Sequence, residues 1–226
     1  MAAKSVRHGP RRPTITYIVT GLIVRPIVRW IFRQRVYGTE RLPVGQGFVL
    51  ASNHISIVDP FPLALPFFPR QLRFMAKIEL FRPVLRSIFT ALGAFPVHRG
   101  RGDVAAVKTA TRLVEEGEIV LIFPEGTSLG KTHWMELRDR LHRGAAISAL
   151  EAGAPLVPIA IKGSDRLSRL GPIRILCGEP LELDDVRELP RREATLIATQ
   201  RLRSALGELI AELEERESGS RRDGAG

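Results

Sequence analysis

Two side chains five residues apart, His54 and Asp59, form the smallest unit in this sequence that can move a proton. An imidazole beside a carboxylate is a common general-base arrangement, in which the acid fixes the ring tautomer and stabilises the imidazolium that forms. The polar stretch Ser52-Asn53-His54 follows the apolar run Phe48-Val49-Leu50-Ala51, so the histidine stands just past a strand. Pro60 forces a turn directly after the acid. A loop of that length can fold the carboxylate back onto the ring. Taken alone, however, the pair fits an exposed histidine and a helix-capping aspartate better.

A partner nucleophile is missing. Ser56 lies in the loop but outside any GxSxG elbow, and Cys177 sits in an apolar strand. A covalent acyl-enzyme is therefore disfavoured, and His54 would instead deprotonate a hydroxyl of the bound substrate. The five histidines show no HExxH or HxxxH spacing, and one cysteine allows neither an internal disulfide nor a cysteine metal cluster. No metal or cofactor is expected, and a reducing compartment fits. Neither GxxxxGK[ST] nor GxGxxG occurs, so nucleotide binding loses its usual support.

Three more segments stand out, two of which end apolar runs with chemically capable side chains. Phe123-Pro124-Glu125-Gly126-Thr127 offers a carboxylate, a glycine and a hydroxyl suited to polyol hydroxyls, although Pro-Glu-Gly-Thr is equally a plain turn. Phe95-Pro96-Val97-His98-Arg99-Gly100-Arg101 leads into a basic loop where Arg99 can fork onto a phosphate, with Arg101 equally well solvated. Val157-Pro158-Ile159-Ala160-Ile161 carries no catalytic side chain and reads as a core strand or an apolar wall for an acyl chain.

The elements that must position these segments alternate. Besides Phe48-Ala51, strand patterns occupy 73–76, 95–98, 119–123, 156–161 and 173–177, and helical patterns occupy 83–92, 104–116 and 143–151. Residues 191–217 form a long charged helix with Leu202, Leu206, Leu209 and Leu213 toward the core. This predicts an α/β fold: a single domain with a mixed, mainly parallel central sheet flanked by helices, plus an N-terminal amphipathic helical segment. Sites then fall in loops beyond strand ends. The expected boundaries are a basic flexible N-terminus (1–13), an amphipathic membrane-associating helical segment (14–37), the main domain (38–217) and a disordered tail (218–226).

A net charge of +10, from 34 basic and 24 acidic residues, calls for anionic partners: nucleic acid, anionic lipid or a phosphorylated substrate. The low aromatic content, 6%, argues against a base-stacking platform. Arginines crowd the N-terminal region, and Arg25, Arg29 and Arg33 recur every fourth residue beside Ile23, Ile27, Trp30 and Ile31. The preceding apolar run is cut by Arg25 well short of the roughly twenty residues a spanning helix needs, and no small-residue cleavage site follows. A basic amphipathic helix on an anionic membrane results, with Trp30 and Tyr17 at headgroup level; the alternative is a helix packed on the protein's own core. On the membrane reading the protein is peripheral or monotopic at the cytoplasmic face. Removing residues up to Val36 is then expected to release it from liposomes while leaving the domain folded.

Taken together and in order, these segments resemble the glycerolipid acyltransferase family of the 1-acylglycerol-3-phosphate acyltransferase (PlsC) type. NHxSxxD stands here as Asn53, His54, Ser56 and Asp59, followed by the arginine block to Arg99, the glutamate block to Thr127 and the block at Val157-Ile161. The resemblance implies His54 as base with Asp59 as its orienter, Glu125 and Gly126 at the glycerol part of an acceptor, and Arg99 at its phosphate. Asn53, Ser56 and Thr127 would shape the site, and Lys77 in Lys77-Ile78-Glu79-Leu80 would be a further phosphate or oxyanion contact. The implied donor is an acyl-CoA or acyl carrier protein thioester, and the implied acceptor is lysophosphatidic acid, with another lysophospholipid, glycerol phosphate or a glycolipid as alternatives. Ser128 stands where many members carry arginine, leaving Lys131 as the nearest basic replacement. Less favoured readings are a thioesterase, which would need the pair but not Arg99 or Glu125, and a non-enzymatic basic scaffold; no nucleic acid is expected.

Overall fold

A computed structural model describes residues 12–97, 104–126 and 141–222. Its centre is a seven-stranded sheet made of β1 (Arg35–Tyr37), β2 (Phe48–Ser52), β3 (Leu72–Lys77), β4 (Ala94–Val97), β5 (Ile119–Ile122), β6 (Leu156–Lys162) and β7 (Arg174–Cys177). The order across the sheet is β1-β7-β6-β2-β5-β3-β4. Strands β6, β2, β5, β3 and β4 run parallel, β7 is antiparallel to β6, and β1 is parallel to β7. Every residue of β2 is buried, which follows from its central place: a strand covered on both faces has no position at which a polar residue meets water.

Helices cover both faces. Three of them, α4 (Val104–Glu115), α5 (Gly144–Glu151) and α6 (Arg191–Arg222), pack on the side carrying Val49, Ala51, Val120 and Ile122. Ala106 and Ala110 of α4 and Ala145, Ala146 and Ala149 of α5 keep that layer thin, and Leu202 and Leu206 of α6 close it. The opposite face carries Phe48, Leu50, Ile119, Leu121, Ile159 and Ile161. It is covered by α1 (Ile15–Ile31), α2 (Pro60–Ala64) and α3 (Pro83–Ala91), through Val28, Leu63 and the half-buried Phe89. The alternation of 48 and 50 against 49 and 51 is the two-residue period of a strand.

Helix α1 starts at Thr14, whose hydroxyl accepts from the Tyr17 N–H at 3.2 Å and donates to the Ala91 carbonyl at the end of α3. Gly21 lets it lie close: a Cβ there would stand 2.3 Å from the ring of Phe68. Tyr17, expected at headgroup level, is instead buried, and its hydroxyl donates to the Arg70 carbonyl at 3.1 Å. Its body fills the space beside Phe68, and its one polar atom finds a backbone partner there.

The chain differs from the sequence expectation in four further places. The N-terminal helix ends at Ile31, Arg33 takes a left-handed φ of 42°, and residues 35–37 join the sheet as β1, with the Arg35 N–H bonded to the Ile173 carbonyl. Residues up to 36 are therefore no separable appendage, because Tyr17, Val28 and Val36 belong to the core and β1 pairs with β7. Helix α2 escaped notice because three prolines crowd residues 60–66, yet Pro60 occupies the first turn, where the missing N–H costs nothing. Finally, α6 runs past 217 to Arg222, with the Ser218 hydroxyl bonded to the Glu214 carbonyl; the tail expected from 218 is helical as far as 222.

Candidate active site

The parallel strands set their carboxyl ends side by side. Ala51 of β2 pairs with Ile122 of β5 and Ser52 with Ile159 of β6, so the loops leaving all three strands meet at one edge. Asn53 ties this edge together. Its amide nitrogen donates to the Ile161 carbonyl at 2.9 Å, and its oxygen accepts from the Ile161 N–H at 2.8 Å. Both ends of the side chain are thus occupied by backbone, and Asn53 extends the contact between β2 and β6.

His54 and Asp59 meet. The carboxylate oxygen Oδ2 accepts from the imidazole Nδ1 at 2.9 Å and from the backbone N–H groups of Ile55 and Ser56 at 2.8 and 2.9 Å. Oδ1 accepts from the hydroxyl of Ser164, and Asp59 is fully buried. Although Asp59 directly precedes α2, its side chain makes no capping bond; it turns back into the loop. The helix-capping alternative is thereby removed. With Nδ1–H given to Asp59, the ring's free base is Nε2. Phe123, at the end of β5, stacks on the imidazole with ring centroids 3.9 Å apart and an 18° tilt, which fixes the ring plane as Asp59 fixes its rotation.

Glu125 lies against the same loop, its Oε2 accepting from the His54 backbone N–H at 3.2 Å. Burial pushes its carboxyl up to about 7, the nearby Asp59 charge adds to that, and the His54 N–H works against it. A carboxyl that titrates near neutrality binds hydroxyls either as donor or as acceptor. Gly126 follows with φ +74°, and a Cβ there would lie 2.8 Å from the ring of His142. That histidine precedes α5, and its N–H bonds the Pro124 carbonyl at 2.6 Å.

The other expected site residues sort by position. Ser56 contributes its N–H to Asp59 and its carbonyl to the Asp59 N–H. Lys77 is exposed at the carboxyl end of β3, two strands and so about 10 Å from β2. Arg99 and Thr127 lie outside the described residues, as do Arg101 and Lys131. Of the two readings for Val157-Ile161, the core strand is the one seen: all five residues are buried within β6. Sequence reasoning missed Ser164, His142 and the stacking of Phe123. Only Ser164 left a trace, as the first hydroxyl after an apolar strand. Among the described residues, no group of three or more His, Cys, Asp or Glu side chains is placed to hold a metal ion. Cys177 is buried, its thiol pushed up to about 12 by burial, and it takes no part in the site.

A family model described as acyltransferase matches residues 8–162. The 1-acyl-sn-glycerol-3-phosphate acyltransferase of Bacillus subtilis (strain 168) is 36% identical over 185 residues, covering 80% of this chain and 90% of its own length. That of Streptococcus pneumoniae (strain ATCC BAA-255 / R6) is 26% identical over 199 residues, covering 81% and 71%. The crystal structure of the 1-acyl-sn-glycerophosphate (LPA) acyltransferase PlsC from Thermotoga maritima matches the fold with a TM-score of 0.56 at 22% identity, over 83% of this chain and 80% of that one. The matched stretch is well over half of the sequence and contains His54, Asp59 and Glu125, so this chain belongs to the acyltransferase family.

Proposed function

We propose that this enzyme moves a fatty acyl group from an acyl-CoA or acyl carrier protein thioester to the free hydroxyl of 1-acylglycerol-3-phosphate, giving phosphatidic acid for phospholipid synthesis. The named relatives support this acceptor. The observation that carries the mechanism is the seating of Asp59 on Nδ1, which leaves Nε2 of a fixed, ring-stacked imidazole as the base. Nε2 takes the acceptor's hydroxyl proton as that oxygen attacks the thioester carbonyl carbon. The new C–O bond forms, the C–S bond breaks, and the imidazolium returns its proton to the departing thiolate. Glu125 holds a glycerol hydroxyl beside the ring, and Arg99 neutralises the acceptor's phosphate. No covalent acyl-enzyme is needed.

The acceptor and product are lipids, so the site must work at a bilayer. No helix among the described residues is long and apolar enough to cross one. Helix α1 instead exposes Leu22, Ile23, Ile27 and Trp30, with Arg25 and Arg29 beside them. On the neighbouring α3, Leu85 and Ile88 are exposed together with Arg86, and Arg82 is exposed just before the helix. We take this basic-bordered apolar surface as the contact with the anionic cytoplasmic face of the membrane. Purified protein given a radiolabelled acyl thioester and lysophosphatidic acid is expected to form phosphatidic acid, with less product from acceptors lacking the phosphate. His54→Ala is expected to abolish it, and undiminished product from that variant would overturn the mechanism.

A further inference from the structure

The two oxygens of Asp59 are held differently. Oδ2 collects three donors from its own loop, namely the ring of His54 and the N–H groups of Ile55 and Ser56. For Oδ1 the donor is the hydroxyl of Ser164, which comes from 105 residues further along the chain. Ser164 is 1% exposed and opens the turn that follows β6. The residue before it makes this approach feasible: Gly163 adopts φ +90°, and any Cβ there would lie 2.2 Å from the Pro172 carbonyl oxygen. That left-handed residue carries the chain from the end of β6 over the loop that leaves the neighbouring β2.

We infer that Ser164 is a positioning residue of the base unit, a third member behind Asp59 and His54. Bonds to Oδ2 alone leave the carboxylate free to swing about its Cβ–Cγ axis. A donor on Oδ1 fixes the carboxylate plane, and with it the line from Oδ2 to Nδ1 and the direction in which Nε2 points. The Ser164 hydroxyl also draws charge from the acid, so it tempers how strongly Asp59 pulls on the Nδ1 proton. Ser164 lies beyond the stretch that the family match covers, which ends at residue 162. The inference rests on the reading of His54 as the base.

The test compares Ser164→Ala and Ser164→Thr with the wild-type chain. S164A is expected to lower kcat on the order of 10- to 100-fold, as small misplacements of reacting groups do, while both KM values stay within about twofold. S164T keeps the hydroxyl and is expected to recover most of kcat. In proton NMR the low-field His54 Nδ1–H signal should move further downfield in S164A, because Asp59 then accepts more strongly, and return in S164T. A serine that only fills space would give an S164A variant of lower stability with unchanged kcat and an unmoved signal, and that result overturns the inference. If the extra methyl of threonine prevents folding, kcat and the NMR signal of S164A alone decide. His54→Ala separates the two readings: loss of activity there with full activity in S164A sinks only the role of Ser164, whereas activity retained in His54→Ala sinks the mechanism itself.

Discussion

The two faces of the sheet are finished in opposite ways. On the side of α4, α5 and α6 the apolar residues interlock and disappear: Ala110, Ala145, Ala149, Ala198 and Leu206 are all at 0% exposure. On the side of α1 and α3 the sheet itself is equally well covered, but the covering helices turn apolar side chains outward, with Ile15 at 84%, Trp30 at 79% and Leu22 at 62% exposed. An outward apolar face on an otherwise well-packed domain marks a surface awaiting a partner rather than poor packing. The active-site edge lies between the two layers. Its side chains are placed by the sheet and by the loops that cross it, whereas on the proposed function access to a lipid acceptor would come from the other layer. Chemistry and attachment should therefore be separable by mutation.

The hardest break falls on the chemistry. Asp59→Asn replaces a carboxylate that receives four donors by an amide whose NH2 group must face one or more of them. The variant can keep its shape but loses the charge that, in the proposed mechanism, stabilises the imidazolium. A fall in kcat of about 10²- to 10⁴-fold is expected, with binding to anionic liposomes unchanged. Liposome binding that fell along with kcat would show that the two regions are coupled.

A smaller effect should appear in stability. Glu125 is protonated more readily in the folded chain, at about 7, than at its ordinary value of 4.5. A raised folded value means that the folded state holds the proton longer than the unfolded one, so the stabilisation is complete below the ordinary value and is lost as pH rises through about 7. Over that window the loss amounts to roughly 3 kcal/mol at most. Glu125→Gln has no charge to bury. Its melting temperature should match the wild type near pH 4.5 and exceed it by several degrees at pH 8, although acyl transfer is impaired. Equal melting temperatures at both pH values would show that burial of Glu125 carries no such cost.

The sequence disclosed these regions unevenly, for physical reasons. Strands β2, β5 and β6 are short apolar runs cut off by polar motifs, and a buried parallel strand can hardly be written otherwise. His54 and Asp59 were legible because a local loop joins them. Ser164 was not, since its partner is 105 residues away and only the sheet order brings β6 beside β2. Tyr17 misled because an aromatic ring with one polar atom suits a headgroup layer and a buried niche equally well, and only Gly21 and Phe68 decide between them. Strand β1 is three residues long and follows a helix whose four-residue arginine spacing runs on to Arg33, past the helix end at Ile31, so nothing local announced the change to a strand.

The mildest expected effect concerns the open face, where the contrast between the layers is most easily tested. Truncation is the wrong tool, because it would strip β1 from the sheet and Tyr17 and Val28 from the core. Leu22→Glu combined with Trp30→Glu changes only exposed positions. Sedimentation with phosphatidylglycerol vesicles should fall on the order of 10-fold, since two side chains lose their apolar burial and two negative charges approach an anionic surface. Turnover of a short-chain, water-soluble acceptor should stay at the wild-type rate. Unchanged cosedimentation would show that the outward face of α1 does not meet the membrane and would overturn that reading. The wild-type rate on the soluble acceptor is the more telling half of the result, because it requires that His54 keep its geometry without help from the bilayer. The hydrogen bonds from Asn53 to β6 and from Ser164 to Asp59 supply that geometry from inside the sheet.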